Sequence, residues 1–191
     1  MAIRKMFTIA ALALAAVAFA VPSLASANPL KWKDNGAYLV GMEHATLQFN
    51  GNITFKYLNE SNTFTCEANV TLTAEPGTTG TITTFELVPG TCSGKGIWAN
   101  CLLKSQEFEP LPVEVHTTTS GFEITTTVFR LKYEGTGCTR SESNIPYSWI
   151  IATVNKLEPI ASITLYGEES LGVQFIQGSL NAKEPKTLGL G

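Results

Sequence analysis

Residues 65–92 read TCEANVTLTAEPGTTGTITTFELVPGTC, a segment closed at both ends by cysteine and turned at its middle. Starting one residue earlier, Phe64, Cys66, Ala68, Val70, Leu72 and Ala74 alternate with Thr65, Glu67, Asn69, Thr71 and Thr73. A strict period of two places one set on a buried face and the other in water, which is the signature of a half-buried β-strand. The turn EPGTTG follows, with Pro76 presetting φ and with Gly77 and Gly80 available where φ must exceed zero. The reading predicts a hairpin whose inward residues fill a core.

A second segment repeats the plan. VEVHTTTSGFEITTTVFRLKY, residues 113–133, predicts a turn at Ser120-Gly121. Val113 and Val115 lie on one arm, with Phe122, Ile124 and Thr126 on the other. The second arm then changes phase, its apolar positions moving from Phe122, Ile124 and Val128 to Phe129, Leu131 and Tyr133. A bulge near Val128-Phe129 would absorb that shift.

Working outward, past residue 28 alternation with β-branched and aromatic residues recurs throughout, and no window of useful length repeats apolar residues at helical spacing. Strands are expected near 37–41, 45–50, 52–58, 63–74, 80–88, 96–103, 112–118, 122–134, 148–154, 160–166 and 171–181. This is an all-β chain, and short strands separated by turn signals predict an antiparallel β-sandwich or jelly-roll relative. A solenoid is less favoured, because no fixed-length repeat is present. The single β domain is expected over 37–182, after a polar lead at 28–36 and before a flexible tail at 183–191.

Residues 1–27 have the form of a signal peptide. Arg4 and Lys5 precede the apolar run FTIAALALAAVAFAV, and VPSLASA supplies small residues for cleavage after Ala27. A spanning helix needs about 20 apolar residues, and Pro22 and Ala25-Ser26-Ala27 end this run early. Export is therefore expected, with no membrane span after signal removal. No cysteine follows the cleavage point to take a lipid, so release or surface retention is expected. The segment holds two of the 13 basic side chains and none of the 16 acidic ones, which leaves 11 against 16 and a net charge of −5. That balance disfavours nucleic acid and anionic membrane as partners.

Four cysteines in an exported chain read as two disulfides. Neither a Cys-x-x-Cys pair nor a histidine close to the cysteines supports a metal site. Cys66 and Cys92 are centred on the first turn, and Cys101 and Cys138 on the second, so each pair can sit across its own hairpin. The nested alternative joins Cys92 to Cys101 and Cys66 to Cys138. Chain entropy does not separate them, at about 3.6 and 3.9 kcal/mol for the hairpin rings against about 2.7 and 4.4 for the nested ones. Symmetry favours the hairpin pairing.

Chemical motifs are weak. A Ser-His-Asp set lacks an orienting acid beyond Asp34, the chain's one aspartate. Glu114 and His116 share a strand face, but no G-x-S-x-G elbow accompanies them. Glu107 with Glu109, and Glu168 with Glu169, read as solvated charge rather than as a glycosidase pair. No calcium-loop pattern occurs. The tripeptides beginning at Asn52, Asn59 and Asn69 match a glycosylation acceptor in a chain where chance matches are expected. Trp32, Trp98 and Trp149 with Tyr38, Tyr57, Tyr133, Tyr147 and Tyr166 could build a sugar-stacking platform, although a sandwich core accounts for most of them. The threonine runs at 117–119 and 125–127 suit an ice-binding row less well than an ordinary solvated strand face. No catalytic, cofactor-binding or metal residues are assigned.

Taken in order, LQFNGNITF, FTCEANVTLTAEPGTTGTITTFE, TCSGKGIWANC, LPVEVHT and YEGTGC resemble a group of secreted bacterial proteins of unassigned function. That group is similar in turn to the alkane-oxidation activator family, exported β-rich proteins of the cell surface and biofilm. The likeness spans about residues 36–138, with a fainter continuation to about 180. It implies a surface or matrix role and transfers no catalytic residue. The expected function is thus an exported, non-enzymatic cell-surface or extracellular-matrix protein. The alternatives are a carbohydrate-binding module, a secreted enzyme, and self-assembly through open sheet edges.

Overall fold

A computed structural model describes residues 31–57, 59–118, 121–126, 129–138, 142–145, 151–154, 159–168, 174–184 and 187–191. The expected signal peptide lies outside them. The strands in chain order are β1 (Trp32–Asp34), β2 (Ala37–Tyr38), β3 (Ala45–Tyr57), β4 (Asn59–Ala74), β5 (Thr79–Leu87), β6 (Ser93–Gly94), β7 (Leu102–Phe108) and β8 (Leu111–Thr118). They continue as β9 (Gly121–Thr125), β10 (Phe129–Thr136), β11 (Glu142–Ile145), β12 (Ile151–Val154), β13 (Ser162–Glu168), β14 (Gln174–Ala182) and β15 (Leu188–Leu190). A 3-10 turn, Gly96–Trp98, is the one helical element among the described residues.

The chain is all-β and antiparallel, as its alternation predicts. β4 follows the pattern throughout its core stretch: Phe64, Cys66, Ala68, Val70, Leu72 and Ala74 are all buried. The large sheet runs β3-β14-β13-β12-β9-β8-β5-β4-β6, and β4 also pairs with β3 along its length. Eight of its strands therefore form a curled sheet whose pairing returns on itself. Leu47, Phe49, Val70, Leu72, Val115 and Ile176 are among the side chains buried within it.

Two small sheets complete the core. At the end carrying the β4–β5 turn, β2-β1-β15 is tied in by Trp32 N–H donating to the Gly77 carbonyl at 3.1 Å and Ile160 N–H to that of Leu188 at 3.0 Å. Near the opposite end, β11-β10-β7 lays Tyr133 on Phe64 (5.6 Å between ring centroids, 16° between planes) and Phe129 edge-on to Phe85 (4.9 Å). That second layer makes the sandwich. Offset and edge-on aromatic pairs of this kind add about 0.5–1.5 kcal/mol each beyond area burial.

Several expected boundaries move, each for a physical reason. The polar lead and the flexible tail are paired strands: β1 and β15 run antiparallel with Trp32 opposite Leu190, and Trp32 and Leu188 are fully buried. Residues 45–50 and 52–58 are not separate strands but one, β3. Gly51 is there for close approach rather than for a turn, since a Cβ at that position would collide with the Ser179 carbonyl oxygen of β14. Gly77 does take left-handed φ, at 91°, whereas Gly80 is a buried strand residue whose added Cβ would meet the Thr73 carbonyl oxygen at 2.9 Å.

Residues 122–134 divide between sheets. β9 belongs to the large sheet and β10 to the small one, so the phase change in the sequence marks a strand leaving one layer for the other. Residue 128 lies outside the described residues, and with it one half of the expected bulge. The segment 96–103 begins as a turn, because Gly96 has φ +62 and Ile97 N–H donates to Asn62 Oδ1 at 3.1 Å. The strand that follows, β7, continues to Phe108 and carries an extra residue where it faces Glu134 and Gly135.

β7 also closes a gap in β5. β8 leaves β5 after Ile82, and beyond it the Gln106 side-chain amide takes the place of a strand. Gln106 Oε1 accepts from Leu87 N–H at 2.8 Å, and Nε2 donates to the Leu87 carbonyl at 3.0 Å. Removing both bonds leaves a part-buried donor and acceptor unmet, so Gln106→Ala is expected to lower the unfolding free energy by about 1–3 kcal/mol. Chemical denaturation checks this, and an unchanged midpoint would show that water replaces the amide.

Candidate functional site

The cysteines pair as Cys66–Cys92 and Cys101–Cys138, and no free cysteine remains. The preferred pairing is the one found, with a different local geometry from simple closure across a hairpin. Cys92 lies in the connection after β5 and ties it back to β4, next to the Thr65–Ser93 pair. Cys101 and Cys138 flank β7 and β10, which are neighbours in the small sheet, with the β8–β9 hairpin inserted between them in sequence. Both bonds are structural, holding loops against the aromatic end of the core.

The outward face has two characters. Over β13, β14, β3 and β4 it is largely a grid of polar side chains in register, such as Thr164, Ser179 and Asn52 across three strands, with the exposed Glu67 of β4 facing Asn52. Thr54 and Thr65 share a hydroxyl hydrogen bond of 2.9 Å across β3 and β4. Lys183 Nζ donates to Asn69 Oδ1 at 3.0 Å.

Over β5, β8 and β9 the face is acidic and concave. A groove of about 840 Å³ is lined by Glu75, Thr79, Glu114, His116, Glu123 and Thr125, with Pro112 and Val113 supplying apolar surface. The sheet register explains the convergence. Glu114 stands between Thr79 on β5 and Thr125 on β9, while His116 faces Glu123 directly. The Pro76-Gly77 turn brings Glu75 back over Thr79, whose hydroxyl donates to Glu75 Oε2 at 3.4 Å. His116 Nε2 lies 3.4 Å from Glu114 Oε2, and both side chains are at least half exposed. Facing residues in antiparallel strands have Cβ atoms about 4.5–5.5 Å apart, so the groups act on a shared space.

Thr126 lines the same groove, is 6% exposed, and its Oγ1 has no hydrogen-bond partner. Among the described residues no group of three or more His, Cys, Asp or Glu is arranged to hold a metal ion. The groove therefore presents dispersed carboxylates along a hydroxyl-bearing wall.

Glu114 and His116 were singled out in the sequence as one strand face and do lie together. Glu75, Glu123 and Thr126 carried no comparable signal. Glu123 could have been placed opposite His116 once the hairpin turn was fixed, but Thr126 was hidden inside a threonine run. That run does not make a flat row, since Thr126 is buried and Thr125 only half-buried. Glu107 and Glu109 are exposed, and Glu109 pairs with Arg130 at 3.3 Å, so they join no cleft. The side chains of Glu168 and Glu169 fall outside the description. The aromatic platform is not assembled from Trp32, Trp98 and Tyr133, all of which are buried, and Tyr147 and Trp149 lie outside the described residues. Tyr38 and Tyr166 are exposed. No family model, no curated protein and no solved structure matches the chain.

Proposed function

We propose that this chain is an exported, non-enzymatic protein of the cell surface or extracellular matrix, with a structural role of the adhesion or biofilm type. The observation that carries the reading is the pair of disulfides with no cysteine left over, which suits a chain that matures where thiols oxidise. The hydroxyl- and amide-rich outer face over β13, β14, β3 and β4, where charges such as Glu67 and Lys56 are sparse, supports it further, because such a surface contacts hydrated polymers without needing strong charge. The resemblance to secreted β-rich proteins of the alkane-oxidation activator type points the same way.

The test is fractionation of the producing cells. The protein is expected in the washed cell-surface or matrix fraction, in its disulfide-bonded form. Recovery entirely as a free monomer in the medium overturns the surface role.

A further inference from the structure

The chain places glycine directly after asparagine at two positions, Asn35-Gly36 and Asn50-Gly51. Asparagine is among the thermolabile residue types, and a following glycine has no Cβ to shield its own nitrogen from the asparagine side chain. The fold treats the two pairs in opposite ways. Asn50 and Gly51 lie inside β3, with Asn181 and Leu180 of β14 on one flank and Asn69 and Ala68 of β4 on the other. Asn35 and Gly36 form the two-residue turn between β1 and β2, with φ of 48° and 80°, in the I′ form that Asn-Gly favours. Both turn residues and both residues of β2 are exposed, and β2 is the edge of its sheet.

Side-chain exposure does not separate the pairs, since Asn50 is exposed as well. Backbone freedom does. Rotating the Asn35-Gly36 peptide disturbs a short edge hairpin, and a Cβ on Gly36 would meet nothing within 4 Å. Rotating Asn50-Gly51 breaks pairing on two flanks at once, at a point where Gly51 is pressed against the Ser179 carbonyl oxygen. Local opening is therefore cheap at the first pair and close to global unfolding at the second.

We propose that Asn35 is a spontaneous modification site, at which water replaces the side-chain amide and part of the product carries an isomerised backbone. When the turn opens, the Gly36 nitrogen attacks Asn35 Cγ; the bond from Cγ to the side-chain nitrogen breaks, and ammonia leaves with the proton given up by Gly36. One water molecule then opens the cyclic imide. Opening at Cγ gives aspartate in the ordinary chain, whereas opening at the backbone carbonyl carbon leaves the chain running through Cβ and Cγ, one atom longer. No oxidant or reductant is needed. Both products lose the hydrogen bond of 3.3 Å that Asn35 Nδ2 donates to Asp34 Oδ2, and both set a second carboxylate beside Asp34. The longer chain also upsets the turn, because a two-residue loop fixes the Asp34–Ala37 register. β1 carries the fully buried Trp32, so a hold on the core weakens as the chain ages. The site stands apart from the surface role, which decides only where aged chains accumulate.

The test is prolonged incubation of the purified disulfide-bonded protein in warm, mildly alkaline buffer, followed by peptide mapping and enzymatic methylation of isoaspartate. Asn35 is expected to convert at least about tenfold faster than Asn50 in the folded protein, and the two at comparable rates in the reduced, denatured chain. Asn35→Gln is expected to abolish the acid-shifted band that the aged protein shows in isoelectric focusing. The isomerised fraction is expected to unfold at lower denaturant than fresh protein, whereas Asn35→Asp, with the ordinary backbone, unfolds close to it. Conversion of Asn50 as fast as Asn35 in the folded protein, or an Asn35 that keeps its amide while the denatured chain loses both, overturns the proposal.

Discussion

Deleting Leu188–Gly191 lowers the unfolding free energy by about 4 kcal/mol or more, a loss expected of a core element and not of a chain end. Leu188 and Leu190 are essentially inaccessible, and each fully buried leucine contributes about 1.5–3 kcal/mol relative to exposure. Their strand is also the backbone partner of β1: Lys31 N–H donates to the Gly191 carbonyl at 3.0 Å and Gly191 N–H to that of Lys31 at 3.1 Å. Without it Trp32, the largest fully buried side chain, loses cover on one side. Denaturant unfolding of the oxidised full-length and shortened proteins measures the difference. If the two unfold at the same denaturant concentration, the end strand contributes nothing and the sheet at this end is only a surface association.

The second large effect is expected from Cys101→Ala combined with Cys138→Ala. The bond spans a sequence separation of 37 residues, and chain entropy assigns to a ring of that size about 3.9 kcal/mol. It encloses β7, β8, β9 and β10, and so restricts just the part of the chain that passes from the small sheet to the large one and back. The double variant is expected to unfold at markedly lower denaturant, and its Cys66–Cys92 bond is expected to remain intact by peptide mapping. A change below about 1 kcal/mol would mean that the β7–β10 pairing is already held in the unfolded ensemble or that relief of native strain offsets the entropy.

How much of this was legible in the sequence depends on what each residue had to report. β4 was legible in full, because every second residue from Phe64 to Ala74 is apolar and every one of these is buried. Cysteine spacing was legible as a pairing but not as a geometry, since nothing in the sequence says that β7 and β10 are neighbours with a hairpin of another sheet between them. Strand ends near glycine were the least legible. Gly51 reads as a break and is instead a place where two backbones approach closely; that depends on β14, more than a hundred residues further on. The two end strands were missed because three-residue elements are too short to show a period. The groove was half visible. Glu114 and His116 share a face by simple alternation, but Glu75 enters through a turn and Glu123 through hairpin register, and the burial of Thr126 follows from packing that no local pattern encodes.

The return of the β3-to-β4 sheet on itself limits how copies of this protein can join. A strand segment with partners on both flanks cannot template another chain, and eight strands here are so occupied over all or part of their length among the described residues. Backbone edges remain on the minor sheets, where β2 is only two residues long and β7 carries the outward charges of Lys104 and Glu107. Fibril-like growth by backbone stacking is thereby blocked over most of the molecule. A layer made from many copies would have to be cross-linked through side chains or through a shared polymer, and would come apart when that polymer is digested while each copy stays folded.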